Sequence, residues 1–221
     1  MGIISVRNWV SVWRSELRDR RFLGETLLTA LLFVVFVETC AVVLEFIEAR
    51  PGVTLPDPIL QLVGPIRLTE STFAILWVSL AVGFTALLSE PRTMLMAFQA
   101  ATLVMVLRTV TLLLVPFEAV PTIIPLADPL IIGFGTGRLI IKDLFFSGHT
   151  SVMFLLMLTA RKRVLRWIFG IGAVVVAASV VLQHVHYRID VVIAPFVTYT
   201  SWRIVVVLHE RPGRDPFVDT H

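Results

Sequence analysis

Three residues of this sequence, His149, His186 and Asp190, form a set that can carry out nucleophilic chemistry. His186 and Asp190 are four positions apart, so on a helical turn they share a face and the carboxylate can hold one imidazole nitrogen. Such a partner fixes the tautomer and leaves the other nitrogen to attack an electrophile. His149 lies in Ser147-Gly148-His149-Thr150, after a glycine that permits close backbone approach. It suits a proton donor to a leaving oxygen and, later, an acceptor from an incoming one. Arg108 adds a fixed cation whose planar donors match phosphate oxygens. A nucleophilic His, an acid–base His and an Arg describe phosphoryl transfer without a metal, and the sequence has no carboxylate cluster suited to magnesium. No cofactor is expected.

The elements that must position these groups are membrane helices. Of the 221 residues 57% are hydrophobic and only 16% charged, and the mean hydropathy is +0.87. Soluble domains carry about a quarter charged residues. The sequence therefore predicts an all-α polytopic membrane protein with six transmembrane helices and an N-terminal interfacial amphipathic helix. The six apolar runs are 26–44, 71–88, 93–115, 144–160, 164–182 and 189–208. Long loops at 45–70 and 116–143 separate some of them. Residues 1–25 form the amphipathic segment, with Val6, Trp9, Val10, Trp13 and Leu17 on one side and arginines opposite. Residues 26–210 form the six-span domain, and 211–221 a tail. The net charge of +3 comes from arginines at the ends of apolar runs, not from one stripe, which argues against a nucleic-acid partner. The single cysteine, Cys40, has no disulfide partner within the chain.

The distribution of basic residues sets an orientation. With the termini cytoplasmic, only Arg50, Arg67, Arg108, Arg138, Lys142 and Arg188 lie outside, six of the 19 Lys and Arg. His149 is then five residues into the fourth run, roughly 7–8 Å below the outer boundary, and Arg108 about 10 Å below it. Asp190 opens the sixth run on the same side, and His186 just precedes it. Ionisable groups at such depth are costly and gather around function. Structural readings compete for single residues. Asp190 suits a helix N-cap, His184 a buried structural histidine, and Arg108 a side chain snorkelling to the bilayer edge. Glu38, within the first run, and Glu45, seven residues later on much the same face, are candidates to neutralise Arg108 or assist proton transfer.

Phe145-Phe146-Ser147-Gly148-His149-Thr150 and His186-Tyr187-Arg188-Ile189-Asp190-Val191-Val192 resemble the two signatures of the sphingomyelin synthase family, within the type 2 phosphatidic acid phosphatase superfamily. Asp143 matches the aspartate of that family's Gly-Asp-(x)3-Ser-Gly-His-Thr stretch, and His184 a histidine two residues before its second catalytic one. Leu107-Arg108-Thr109-Val110-Thr111 looks like its Tyr-Arg-x-x-Thr. Glu48-Ala49-Arg50-Pro51 and Leu55-Pro56-Asp57 resemble its Glu-Arg-x-Pro and Leu-Pro-Asp segments. The chain departs from ordinary lipid phosphatases, with Phe before Ser147-Gly148-His149, Val180 where their arginine would fall, and no Lys-(x)6-Arg-Pro motif.

The resemblance implies six spans, an outward-facing site and a triad of His149, His186 and Asp190. Arg108, Ser147, Gly148 and Asp143 would serve the substrate phosphate, with Glu45, Glu38 and His184 as possible assistants. His186 would take a phospho-headgroup, phosphocholine or phosphoethanolamine, from a glycerophospholipid donor. Ceramide, another lipid alcohol of the diacylglycerol type, or water would then accept it. Water as acceptor would make the enzyme a lipid phosphate phosphatase or phospholipase C-like hydrolase.

Overall fold

A computed structural model of the chain describes residues 6–126 and 139–210. Among them helix is the dominant element: α1 (Val6–Glu16), α2 (Arg20–Ala49), α3 (Pro58–Leu62), α4 (Thr69–Leu87), α5 (Pro91–Leu114), α6 (Gly148–Thr159), α7 (Arg163–Leu182) and α8 (Arg188–His209). One isolated bridge joins Val53 to Phe117. The all-helical expectation holds. Five helices (α2, α4, α5, α7 and α8) are long and apolar enough to cross a bilayer.

The fourth run departs from the expected span of 144–160. Helix α6 begins only at Gly148 and has 12 residues, about 18 Å against a hydrocarbon core near 30 Å. The preceding residues are not helical. Phe145 and Phe146 have left-handed backbones, with φ of 69° and 61°, a conformation that ends any helix continuing from the N-terminal side. Irregular backbone at membrane depth must be buried and satisfied by protein. Here Leu144, Phe146 and Ser147 are buried, and neighbouring elements supply the hydrogen bonds. Glu48 Oε2, near the end of α2, accepts from the Ile141 and Lys142 amides at 3.1 and 3.0 Å. Arg108 on α5 takes the Phe146 and Asp143 carbonyls.

Helix α5 is central, flanked by α2 and α8, while α6 packs between α7 and α8 and α4 lies on α7 and α6. The main core cluster joins Phe73 and Leu76 of α4 to Met153 and Leu156 of α6 and Phe169, Ala173 and Val176 of α7. Close packing needs small residues. A Cβ on Gly172 would come within 2.6 Å of Met153 Cε, and one on Gly83 within 2.6 Å of Leu156 Cδ2.

The two ends of the bundle differ. At one end Trp13 Nε1 of α1 donates to the Leu88 carbonyl at 2.7 Å. Arg92 pairs with Glu16, and Arg161 with Glu90. Helix α1 is thus tied to the α4–α5 turn. At the other end the long loops interlock. Val53 N donates to Pro116 O at 2.7 Å and Glu118 N to Val53 O at 3.0 Å. A Cβ on Gly52 would lie 2.6 Å from the Phe117 carbonyl carbon, so only glycine permits this crossing. The expected tail, 211–221, and Arg138 fall outside the described residues.

Candidate active site

Asp190 lies in the first turn of α8 and is fully buried. Its Oδ2 accepts from the Tyr187 backbone amide and from His186 Nδ1, both at 3.1 Å. One carboxylate oxygen thus closes the capping box of α8 from the third helical position; the N-cap itself is Tyr187. The same oxygen orients the imidazole. His186 is not on a shared helical turn, as the spacing suggested. It occupies the bend between α7 and α8, where its amide and that of Val185 donate to the Val180 carbonyl at 3.3 and 3.0 Å. The capping geometry makes the contact. With Nδ1–H donating to the carboxylate, Nε2 is the nitrogen carrying the lone pair.

The second signature meets this pair through the backbone. Ser147 N donates to the Asp190 carbonyl oxygen at 3.0 Å. Ser147 is also the N-cap of α6, its Oγ accepting from Thr150 N at 3.3 Å. Gly148 and His149 therefore form the first turn of a helix whose start is fixed beside Asp190. A helix N-terminus favours anionic oxygens. His149 is partly buried, its ring edge-on to Phe73 with centroids 5.8 Å apart. Residues 144–147 are not helical, so His149 sits in the first turn of α6 rather than five residues into a span.

Arg108 is 8% exposed, which rules out a side chain reaching the bilayer edge. Its Nη2 pairs with Asp143 Oδ1 at 2.5 Å, Nη1 donates to the Phe146 carbonyl, and the guanidinium carbon lies 5.6 Å from the Phe146 ring centroid. A Cβ on Gly148 would sit 3.4 Å from that carbon. Arg108 thus abuts the first turn of α6 and fastens the descending loop to α5. Asp143 neutralises the cation and anchors the same loop.

The assisting carboxylates are placed differently from expectation. Glu38 and Glu45 are both exposed on α2, away from the Arg108 guanidinium, whose carboxylate partner is Asp143. Helix α2 turns its Cys40, Leu44 and Ile47 face inward, which leaves both glutamates outside. Glu48, one turn beyond Leu44 on that inner side, is the carboxylate that reaches the loop. His184 is buried and serves structure. Its Nε2 lies 3.0 Å from the Val63 carbonyl, which can only accept, so Nε2 is the protonated nitrogen and Nδ1 accepts from the Thr122 hydroxyl at 2.5 Å. Both ring nitrogens are committed, and its left-handed φ of 60° lets the turn close.

Residues that the spacing argument missed support the site from the loop end. Asp57 Oδ2 accepts from the Arg188 amide at 3.0 Å, and its Oδ1 pairs with Arg188 Nε at 2.6 Å, tying the α3 loop to the start of α8. Burial works against the Asp57 carboxylate, but the Arg188 and Ile59 amides and the guanidinium outweigh it and hold its pKa below the usual range. The hydrogen bond from Lys142 does the same for Glu118, which also accepts from Gly52 N. Burial pushes the Tyr187 phenol up; its hydroxyl donates to the Glu118 carbonyl at 2.9 Å. The loosely similar Glu48-Ala49-Arg50-Pro51 and Leu55-Pro56-Asp57 segments were the available signal. Among the described residues no group of three His, Cys, Asp or Glu side chains is arranged to hold a metal ion.

Residues 142–207 match the family model described as PAP2 superfamily C-terminal. This stretch, less than a third of the chain, contains Asp143, Ser147, Gly148, His149, His186 and Asp190, whereas Arg108 lies outside it. The match supports a place in the type 2 phosphatidic acid phosphatase superfamily and chemistry on phosphate esters. No curated protein matches the sequence.

Proposed function

We propose that the protein is a membrane-embedded phosphotransferase that moves a phospho-headgroup from a glycerophospholipid to a lipid alcohol. His186 Nε2 attacks the phosphorus, and a P–N bond forms as the P–O bond to the glycerol carbon skeleton breaks. His149 gives its proton to the departing alkoxide, which leaves as diacylglycerol. The acceptor hydroxyl then loses its proton to His149 and attacks the phosphohistidine, restoring His186 as the P–N bond breaks. Asp190 holds the His186 tautomer in both steps. The start of α6 offsets charge on the phosphate oxygens, and Arg108, paired with Asp143, holds that helix start in place.

The observation that carries this reading is the Asp190 junction. Its side chain binds His186 Nδ1 at 3.1 Å while its backbone carbonyl binds Ser147 N at 3.0 Å, one residue before Gly148-His149. The two signature segments are therefore registered through one residue. The likeness of those segments to the sphingomyelin synthases favours phosphocholine or phosphoethanolamine as headgroup and ceramide as an acceptor. Hydrolysis, with water as acceptor, uses the same triad, and the family match to residues 142–207 is equally compatible with it.

The orientation follows the basic residues, with the termini cytoplasmic and the loop end of the bundle outward. The test is purified protein with headgroup-labelled phosphatidylcholine or phosphatidylethanolamine, with and without ceramide. Label in a ceramide phospholipid supports transfer, and label in free phospho-headgroup supports hydrolysis. No turnover relative to His186→Ala would sink both.

A further inference from the structure

Helices α4 and α5 are joined by a turn of three residues, 88–90, yet they lean on different partners. Helix α4 packs mainly on α7 and α6, whereas α5 packs mainly on α2 and α8. The two therefore part as they run from the turn toward the loop end, and α6 lies behind the gap. The flanks of α6 identify its walls. On one flank His149 meets Phe73 of α4, and a Cβ on Gly83 of α4 would press on Leu156. On the other, Leu155 packs against the cluster that holds Ala100 of α5 and Trp202 of α8.

Between those flanks run Gly148 and Val152, one turn apart. Four other helices pack on α6, yet Val152 is 37% exposed and Gly148 only half-buried. Trp77 stands one turn beyond Phe73 on α4 and is also 37% exposed. It is level with Val152, because α4 and α6 both start at the loop end. Leu103, half-buried on α5, lies three residues beyond Ala100 and turns away from Val104, which joins the Phe146–Ala194 cluster. The result is an apolar groove with Trp77 and Leu103 as walls and Val152 as floor. Its loop end is the Gly148–His149 turn.

We infer that this groove holds an acyl chain of the donor glycerophospholipid while its phosphate reacts, an inference that rests on the proposed phosphotransfer. A lipid's phosphate and its chains are covalently joined, so a site that takes the phosphate must receive the chains nearby. The groove meets that need. It opens on one side to bilayer hydrocarbon, its lining is apolar, and it runs into the helix start that favours anionic oxygens. An exposed valine on a helix with four packed neighbours marks a path from lipid to His149. A helix face turned outward to the bilayer supplies no such path. The donor therefore enters sideways, between α4 and α5, and its chains stay in the membrane.

Phosphatidylcholine and phosphatidylethanolamine in long-chain and dibutyryl forms test the groove, because dibutyryl chains are too short to fill it. Val152→Trp should lower kcat/KM for the long-chain lipid about tenfold and alter the short-chain value less than about twofold. Val174→Trp, on the open face of α7, should leave both unchanged. A second form does not depend on packing a tryptophan at position 152. In a Cys40→Ala background, since Cys40 is the only cysteine, Trp77→Cys and Leu103→Cys are bridged with a reducible bismaleimide. Long-chain turnover should fall about tenfold on bridging and return on reduction, with short-chain turnover little changed. Long-chain turnover that survives bridging, equal loss of both chain lengths, or no bridge in folded protein would overturn the groove. Wild-type protein inert toward both chain lengths would instead sink the phosphotransfer chemistry, and the groove's role with it.

Discussion

The backbone amide of Ser147 donates to the backbone carbonyl of Asp190 at 3.0 Å, coupling the start of α6 to the start of α8. Neither group is a side chain, so the register of the two histidines depends on local conformation on both sides. On one side are the left-handed residues Phe145 and Phe146. On the other is the Tyr187–Asp190 cap.

Arg108 is the tether of that loop, because its guanidinium grips Asp143 and the Phe146 carbonyl together. Lysine keeps the charge but has no planar fork to serve both partners. Arg108→Lys should reduce kcat about 10²-fold, the loss associated with a displacement near 1 Å at a reacting centre. Kinetics with labelled phospholipid measure this. Activity within twofold of wild type would show that charge alone suffices.

Ser147→Ala removes the side-chain cap of α6 but leaves the backbone bond to Asp190. The expected destabilisation is about 1 kcal/mol, read from denaturation in detergent, together with reduced turnover as the first turn of α6 frays. Unchanged stability would remove the cap from the account.

His184 offers a control for a buried histidine outside the chemistry. His184→Phe leaves the Val63 carbonyl and Thr122 hydroxyl without their partner, at a cost of about 1–3 kcal/mol. Its pH–rate profile should keep the wild-type shape, whereas His149→Ala should alter the profile. A shift of the profile in the His184 variant would assign that ring a role in proton transfer.

Much of this was legible in the sequence. The high cost of ionisable groups at membrane depth singles out Arg108, His149, His186 and Asp190 as candidates, and the helical class follows from composition. Three features were not legible. Periodicity counted residues 144–147 as span because Leu144, Phe145 and Phe146 are apolar, yet two left-handed backbones make them a descending loop. Glu38 and Glu45 drew notice as acids in a span. Helix rotation decided instead for Glu48, since Cys40, Leu44 and Ile47 face α5. The i,i+4 spacing of His186 and Asp190 was correct as contact and wrong as helix, because a cap can bridge the same interval.

Acid should loosen the loop end of the bundle first. Asp57 and Glu118 have folded-state pKa values below their ordinary ones. Their contribution is therefore complete above the ordinary carboxylate range, near pH 4, and is lost as pH falls through the lower folded values. Melting temperature should drop through that window, and Asp57→Asn with Glu118→Gln should flatten the drop. An unaltered pH slope in the double variant would place the acid sensitivity elsewhere.

The proposed chemistry requires His186 to carry the phospho-headgroup. The direct measurement is rapid quenching of protein turning over phosphatidylcholine labelled in its phosphate, followed by peptide mapping under conditions that preserve phosphohistidine. Label on the peptide containing His186 in wild type, and none in His186→Ala, is the expected result. Label on another residue, or full turnover by His186→Ala, would contradict it.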